Sequence, residues 1–433
     1  MNFYPSFTKI YTINYIYDGM NINPYSQQLL KYIKKAPDLK NRPRFSQLSK
    51  KFLTRILKHI KEGETQFRKQ PLSQREPDQY KTSDLYSSIP KQIKTIIESQ
   101  PTKQESYEFS INNRNFRVQF IIPTNKPQPP NEIQTALKLI YIWFYVASQY
   151  ASNSKCASSL QLYIYLIPHR KVLPTIPNQP IEELHANTAF TWACVENSTI
   201  QIFREEEWFK VLIHETFHTM GLDFSTMDIR KCQQKIVEWF SIKTEGLLFE
   251  SYCETWATVL NCLFLGYFSK ANVENLITIE TKYAIFQSIK VLKHYGLSYS
   301  DIVYKTPDSR TQRRPDVAVS IANGHRRDDA RGSEATWRIE QYSEKTNVFC
   351  YNVLKAMMLY YLDDFLVWCD TNNSGSLEFL KTPTMLDNFC RWIEKHYKTE
   401  SYMEDYNNIQ EWYVSSQKTP QYVFNSMRMT IFG

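Results

Sequence analysis

The chain is 433 residues long, 42% hydrophobic and 22% charged, which supplies a sizeable core and rules out a disordered polyelectrolyte. Glycine is scarce at 10 residues, and neither GxGxxG nor GxxxxGK(S/T) occurs, which argues against Gly-rich phosphate-binding loops, collagen-like sequence and β-propellers. The net charge of +8 is uneven, because residues 1–100 hold 18 Lys and Arg against 8 Asp and Glu while the remainder holds 34 against 36.

At roughly 150 residues per domain the length predicts two or three domains, and three segments differ in pattern. The first, 1–100, is the basic one. Its best element is a helix from Phe45 to Glu62, ended by Gly63, with Leu48, Phe52, Ile56 and Ile60 recurring at i+4 and Lys50, Lys51, Arg55, Lys58 and Lys61 on other faces. Such a face is either solvated or an arm for an anionic partner: nucleic acid, a membrane surface or an acidic protein. Gln70 to Ser83 is polar and reads as a linker.

The second segment, 101–225, alternates. Tyr107–Ile111 and Phe116–Ile122 flank Asn112-Asn113-Arg114-Asn115, a hairpin signal. A Pro-rich stretch precedes an apolar helix, Glu132 to Tyr150, and then come a strand, Leu160–Ile167, and a second hairpin, Thr188–Cys194 with Thr199–Arg204. A helix from Glu205 to Met220 stops at Gly221. This order predicts an α+β fold with a mixed sheet backed by one helix and the last helix packed beside it. The third segment, 226–433, is mainly helical, with helices near 246–268, 273–295 and 344–369 and an Arg-rich insertion near 306–338.

Met1 to Asp18 lacks the apolar core of a signal peptide, and the longest apolar run, Leu137 to Ala151, is broken by Lys138 and Gln149. It is too short for a span of about 20 residues, so a soluble protein without a membrane span is expected. The eight cysteines form no CxxC pair and suggest buried thiols in a reduced intracellular compartment.

The chemistry concentrates in Val211-Leu-Ile-His214-Glu215-Thr-Phe-His218-Thr-Met-Gly221-Leu-Asp223-Phe224-Ser225. On a helix His214 and His218 lie one turn apart on one face, so both imidazoles can converge on a metal. Glu215 lies beside them, placed to hold and deprotonate a metal-bound water. Phe209 and Leu212 are free to anchor the opposite face in the core.

This stretch resembles the zincin metallopeptidases, and the strand–helix order from Tyr107 to Met220 is similar to the zincin upper subdomain. The resemblance implies Zn²⁺ held by His214 and His218, Glu215 as general base and proton donor to the leaving amine, and a peptide or protein substrate beneath the edge strand Thr199–Arg204. Catalytic zinc usually has three protein ligands, so one more is required. The matrixin-type signature would place a third His where Phe224 stands, and Asp223 is displaced from that place by one residue. Glu254, followed by Ala257, resembles the gluzincin Glu-x-x-Ala signature and is the expected third ligand. Gluzincins often carry an acid one turn after the ligand, where this chain has Thr258. Glu250, one turn before Glu254, is the alternative, each carboxylate being a candidate to support the other. The oxyanion needs a further donor, for which His294, Tyr295, Tyr342 and Tyr351 are candidates.

Asp370 to Glu378 resembles the first half of an EF-hand loop, but Lys381 stands where the bidentate Glu belongs, so a helix-connecting turn is expected. The flanks of the motif look most like predicted metallopeptidases of large eukaryotic DNA viruses, which implies a protein of host cytoplasm or the virion. The sequence therefore leads to a zinc metallopeptidase, with two alternatives: a catalytically inactive zincin-fold virion protein, or a nucleic-acid-binding protein acting through residues 1–100.

Overall fold

The structure is a computed structural model that describes residues 16–17, 20–21, 24–41, 44–70, 72–124, 132–304, 339–416 and 421–433; the predicted Arg-rich insertion lies outside them. Near the start, β1 (Ile16–Tyr17) pairs with β2 (Met20–Asn21), followed by α1 (Pro24–Ile33) and α2 (Gln47–Lys69). The Ser46 hydroxyl caps α2 by accepting the Ser49 N–H at 3.3 Å. Gly63 does not end this helix, contrary to expectation. A Cβ there would lie 3.1 Å from Tyr145 and 3.3 Å from the Ile142 backbone, so the glycine serves close approach to the neighbouring helix α4 (Glu132–Tyr150).

The main sheet contains β3 (Ser73–Arg75), β4 (Thr102–Ile111), β5 (Arg114–Pro123), β6 (Ser159–Tyr165), β7 (Ala189–Thr191) and β8 (Asn197–Ile202) in the order β3-β4-β5-β6-β8-β7. Asn112 and Asn113 turn the β4–β5 hairpin with φ of 49° and 64°, the left-handed conformation that a two-residue hairpin loop needs. The β5–β6 and β6–β8 pairs are parallel, while β7 runs antiparallel to β8. Two expectations change here. The stretch read as a linker supplies β3, and the edge of the sheet is β7 rather than Thr199–Arg204.

Alternation decides the two faces of the sheet. Phe116, Val118 and Phe120 join Leu160, Leu162, Ile200 and Ile202 in the main core with α4 and α6 (Trp208–Thr219). On the other face Ile121, Tyr163, Tyr165 and Phe203 pack with Tyr80, Tyr86, Ile89 and with Ile93 and Ile97 of α3 (Lys91–Glu98). The sheet is thus covered on both sides, not on one.

After α5 (Glu183–Ala186) and α6, the helical half comprises α7 (Arg230–Trp239), α8 (Leu248–Ser269), α9 (Val273–His294) and α10 (Tyr299–Val303). A π-helical turn, Phe349–Leu354, leads into α11 (Lys355–Tyr360) and α12 (Leu362–Asn372), so the long helix expected at 344–369 is broken. It is followed by α13 (Pro383–His396), α14 (Glu400–Ser415) and α15 (Gln421–Asn425). One apolar core runs through Leu29, Phe52 and Ile56 of the N-terminal helices, the inner sheet face, and Trp256, Ile285 and Phe286 of α8 and α9. The three segments pack together around it. Among the described residues no helix is long and apolar enough to cross a membrane.

The expectation of buried thiols holds for four of the eight cysteines. Cys156 bonds Cys194 and Cys232 bonds Cys390, across 38 and 158 residues, while Cys253, Cys262, Cys350 and Cys369 stay free. Periodicity cannot reveal such pairs, since they form between elements distant in sequence. Thiol titration of unfolded, unreduced protein is expected to find four groups; eight would overturn the pairing. Replacing Cys156 and Cys194 by Ser should cost about 2–4 kcal/mol through the lost loop closure.

Candidate metal centre

Helix α6 is pinned at both ends. At its start Glu207 adopts φ 61° and is fully buried. One carboxylate oxygen accepts the N–H groups of Met429 at 2.7 Å and Thr430 at 2.6 Å, and the other pairs with buried Lys171. At its end Gly221 takes φ 64°, and the Leu222 N–H donates to the Phe217 carbonyl at 2.8 Å, closing a Schellman-type turn. The Cys194 N–H donates to the His218 carbonyl at 2.9 Å, so the disulfide-bonded loop holds the last turn of the helix. The apolar face anchors through Phe217 stacked on Trp143 and Phe209 edge-on to Phe264.

The opposite face meets α8. His214 Nε2 lies 3.2 Å from His218 Nε2 and 3.2 Å from Glu250 Oε2, which is 3.4 Å from His218 Nε2. Metal bonds of about 2.0–2.1 Å in tetrahedral geometry place ligand atoms about 3.3 Å apart, so these three atoms outline one face of such a tetrahedron. His214, His218 and Glu250 form one of two groups of potential ligands among the described residues.

The carboxylate beside the two Nε2 atoms is Glu250, where Glu254 was expected. Glu254 turns to the other side of His214, where its Oε2 lies 3.1 Å from Nδ1 and its Oε1 accepts from Lys210 and Lys355. Glu250 instead faces the two Nε2 atoms, and the Asn347 amide donates to its Oε1 at 3.1 Å. Glu254 follows Glu250 by one turn of α8, and the Thr258 hydroxyl bonds the Glu254 carbonyl. Asp223 is no ligand to this triangle, since its Oδ2 lies 2.5 Å from His218 Nδ1. That distance is too short for a metal between them, so Asp223, His218 and Cys253, the second group, form a hydrogen-bonded relay. Phe224 packs against Phe379, Phe389 and Tyr252 and takes no part in the centre. Each histidine thus has a carboxylate on Nδ1 and an Nε2 turned to Glu250, the outer support usual for metal-binding imidazoles.

The electrostatics agree with that geometry. Burial opposes charge on His214, but its hydrogen bonds to Glu250 and Glu254 outweigh it and raise the pKa. Burial would also raise Glu250, yet His218 and His214 bring it down to about 2. Glu254 is held well below the carboxylate range, against burial, by Lys210 and Lys355. Glu215, Asp223, Glu250 and Glu254 are all buried, as are Lys210 and Lys355, and of the four carboxylates Glu254 is the one that pairs with the two lysines.

Glu215 lines a cleft of about 750 Å³ together with His214, His218, Glu250, Tyr351 and the edge residues Ala189–Thr191. Burial raises its pKa, opposed by His214 and His218, which suits a carboxylate that must take up a proton. Of the four oxyanion candidates only Tyr351 lines this cleft, its ring 5.8 Å from that of His214. His294 bonds the Gln179 carbonyl, Tyr295 the Ser343 carbonyl and Tyr342 the Glu344 carboxylate.

Asn347, Lys210 and Lys355 were not foreseen from sequence. The two lysines did leave a signal, each being a lone cation inside an apolar helical run, which requires a buried anion. The EF-hand-like loop is accounted for by cations of the chain itself. Arg55 of α2 donates to Asp370 Oδ1 at 2.5 Å and to the Gly375 carbonyl at 3.3 Å, and Lys381 bonds Glu378 and the Gly221 carbonyl.

No protein-family model, curated protein or solved structure matches the chain.

The geometry makes a direct prediction about the two glutamates. Zinc measured by elemental mass spectrometry and chelator competition should be lost in Glu250→Gln. Glu254→Gln, which removes only a supporting partner, should weaken binding about 10–100-fold. The reverse order would name Glu254 as the ligand.

Proposed function

We propose that the chain is a zinc metallopeptidase in which His214, His218 and Glu250 hold the metal. The observation that carries this reading is the triangle of two Nε2 atoms and Oε2, with edges of 3.2–3.4 Å, opening on a cleft beside Glu215. When bound, zinc supplies a Lewis acid that lowers the pKa of water and polarises a carbonyl.

The chain's own groups do the rest. Glu215, inside the cleft and raised in pKa by burial, takes a proton from the attacking water and delivers it to the departing amine. Tyr351 directs its hydroxyl to the oxygen that gains negative charge. The substrate is an extended peptide. Strand β7 ends the sheet, and its outer main-chain groups can pair with a peptide lying in the cleft.

Lys51, Lys58, Lys61 and Arg68 lie exposed along α2 and offer a place for an anionic partner. The two disulfides favour an oxidising setting, such as the exterior of a virus particle, over host cytoplasm.

Glu215→Gln should keep about one zinc per chain and lose roughly 10²–10⁴-fold in peptide-library cleavage. Tyr351→Phe should lower kcat by about 10²–10³-fold, in the range of a lost oxyanion donor, with KM little changed. Cleavage by Glu215→Gln at the wild-type rate would overturn the mechanism. Zinc-loaded wild-type protein that cleaves no peptide would overturn the peptidase assignment and leave a zinc-binding protein of zincin-like design.

A further inference from the structure

Behind the histidines, out of the cleft, three charged side chains meet with almost no access to water. Lys210, Glu254 and Lys355 have side chains only 1–2% exposed. Glu254 gives Oε1 to both ammonium groups and turns Oε2 to His214 Nδ1. Glu250 and Glu254 are the same residue type on neighbouring turns of α8, and both reach His214. They differ in what stands behind them: a neutral Asn347 amide for Glu250, two lysines for Glu254.

We propose that Lys210 and Lys355 are positioning residues that decide which of these two glutamates binds the metal. The inference rests on the metallopeptidase reading of the same centre. With Oε1 shared by two ammonium groups, Glu254 cannot swing into the triangle without leaving buried cations unpaired. Its Oε2 is thereby fixed as acceptor for the Nδ1–H of His214. That tautomer turns the Nε2 lone pair toward Glu250 and His218.

Lys355 also donates to the Met429 carbonyl at 2.6 Å, and the Met429 and Thr430 N–H groups are held by Glu207 at the start of α6. The clamp and the active helix are therefore set in register by one buried stretch of backbone.

A double-mutant cycle on the full chain tests this, with zinc affinity and the visible bands of the cobalt-substituted protein as readouts. Lys355→Met and Lys210→Met should each weaken zinc about 10-fold or more and shift the cobalt bands, because the partner of a ligand has changed. Added to Glu254→Gln, neither should cause a further loss, since its target is gone. A lysine variant that fails to fold, yet folds again when Glu254→Gln is added, supports the same assignment. Equal losses in both backgrounds with unchanged cobalt bands would overturn it and leave the lysines purely structural. Wild-type protein that takes up no zinc would overturn the metallopeptidase reading as well, so the two failures are distinguishable.

Discussion

The seam between α6 and α8 is a chain of buried charges in which each group depends on the next. Glu250 meets the Nε2 atoms of both histidines, Glu254 meets Nδ1 of His214, and Lys210 and Lys355 offset Glu254. Removing one partner from such a chain strands another charge out of water, which is far more costly than the pair is stabilising. The rest of the architecture serves to keep these two helices in one register.

Several independent devices do this. Glu207 ties the start of α6 to the Met429–Thr430 backbone, and Gly221 with the Cys194 amide closes its end. A Cβ at Gly221 would lie 3.0 Å from the Cys156 sulfur, so the turn, the disulfide and the motif helix share one tightly filled corner. Trp143 supports the helix from α4, which itself packs on the sheet. The centre is held by local capping, by a covalent link and by core packing at once, as a preorganised site requires.

The basic N-terminal region is part of this construction. Phe52, Ile56 and Ile60 of α2 enter the main core, Gly63 admits α4, and Arg55 satisfies the acidic turn after α12. Its cationic face is what remains outside once those contacts are made. Charge composition located the helix face that meets water, but it could not show that the same helix is a structural wall of the molecule.

The α+β class, the β4–β5 hairpin, α4 and the motif helix were all legible in the sequence, because each follows from a short-range pattern. Alternation marks a half-buried strand, an i, i+4 pair of histidines must share a helix face, and glycine after the last turn stops a helix. For the same reason His214, Glu215 and His218 stand out in the sequence as one cluster. The third position of the centre was not decided at that level, since Glu250 and Glu254 stand on one helix with the same periodicity. What separates them is long-range: Glu254 pairs with Lys210 and Lys355, 44 and 101 residues away, while Glu250 faces the two Nε2 atoms. The edge strand, the covered second face of the sheet and the two disulfides are long-range in the same way, the disulfides closing over 38 and 158 residues. The sequence by itself determined which residues could bind a metal, because helical spacing is local. Only the tertiary structure shows which carboxylate faces them, because the partners of Glu250 and Glu254 come from distant parts of the chain.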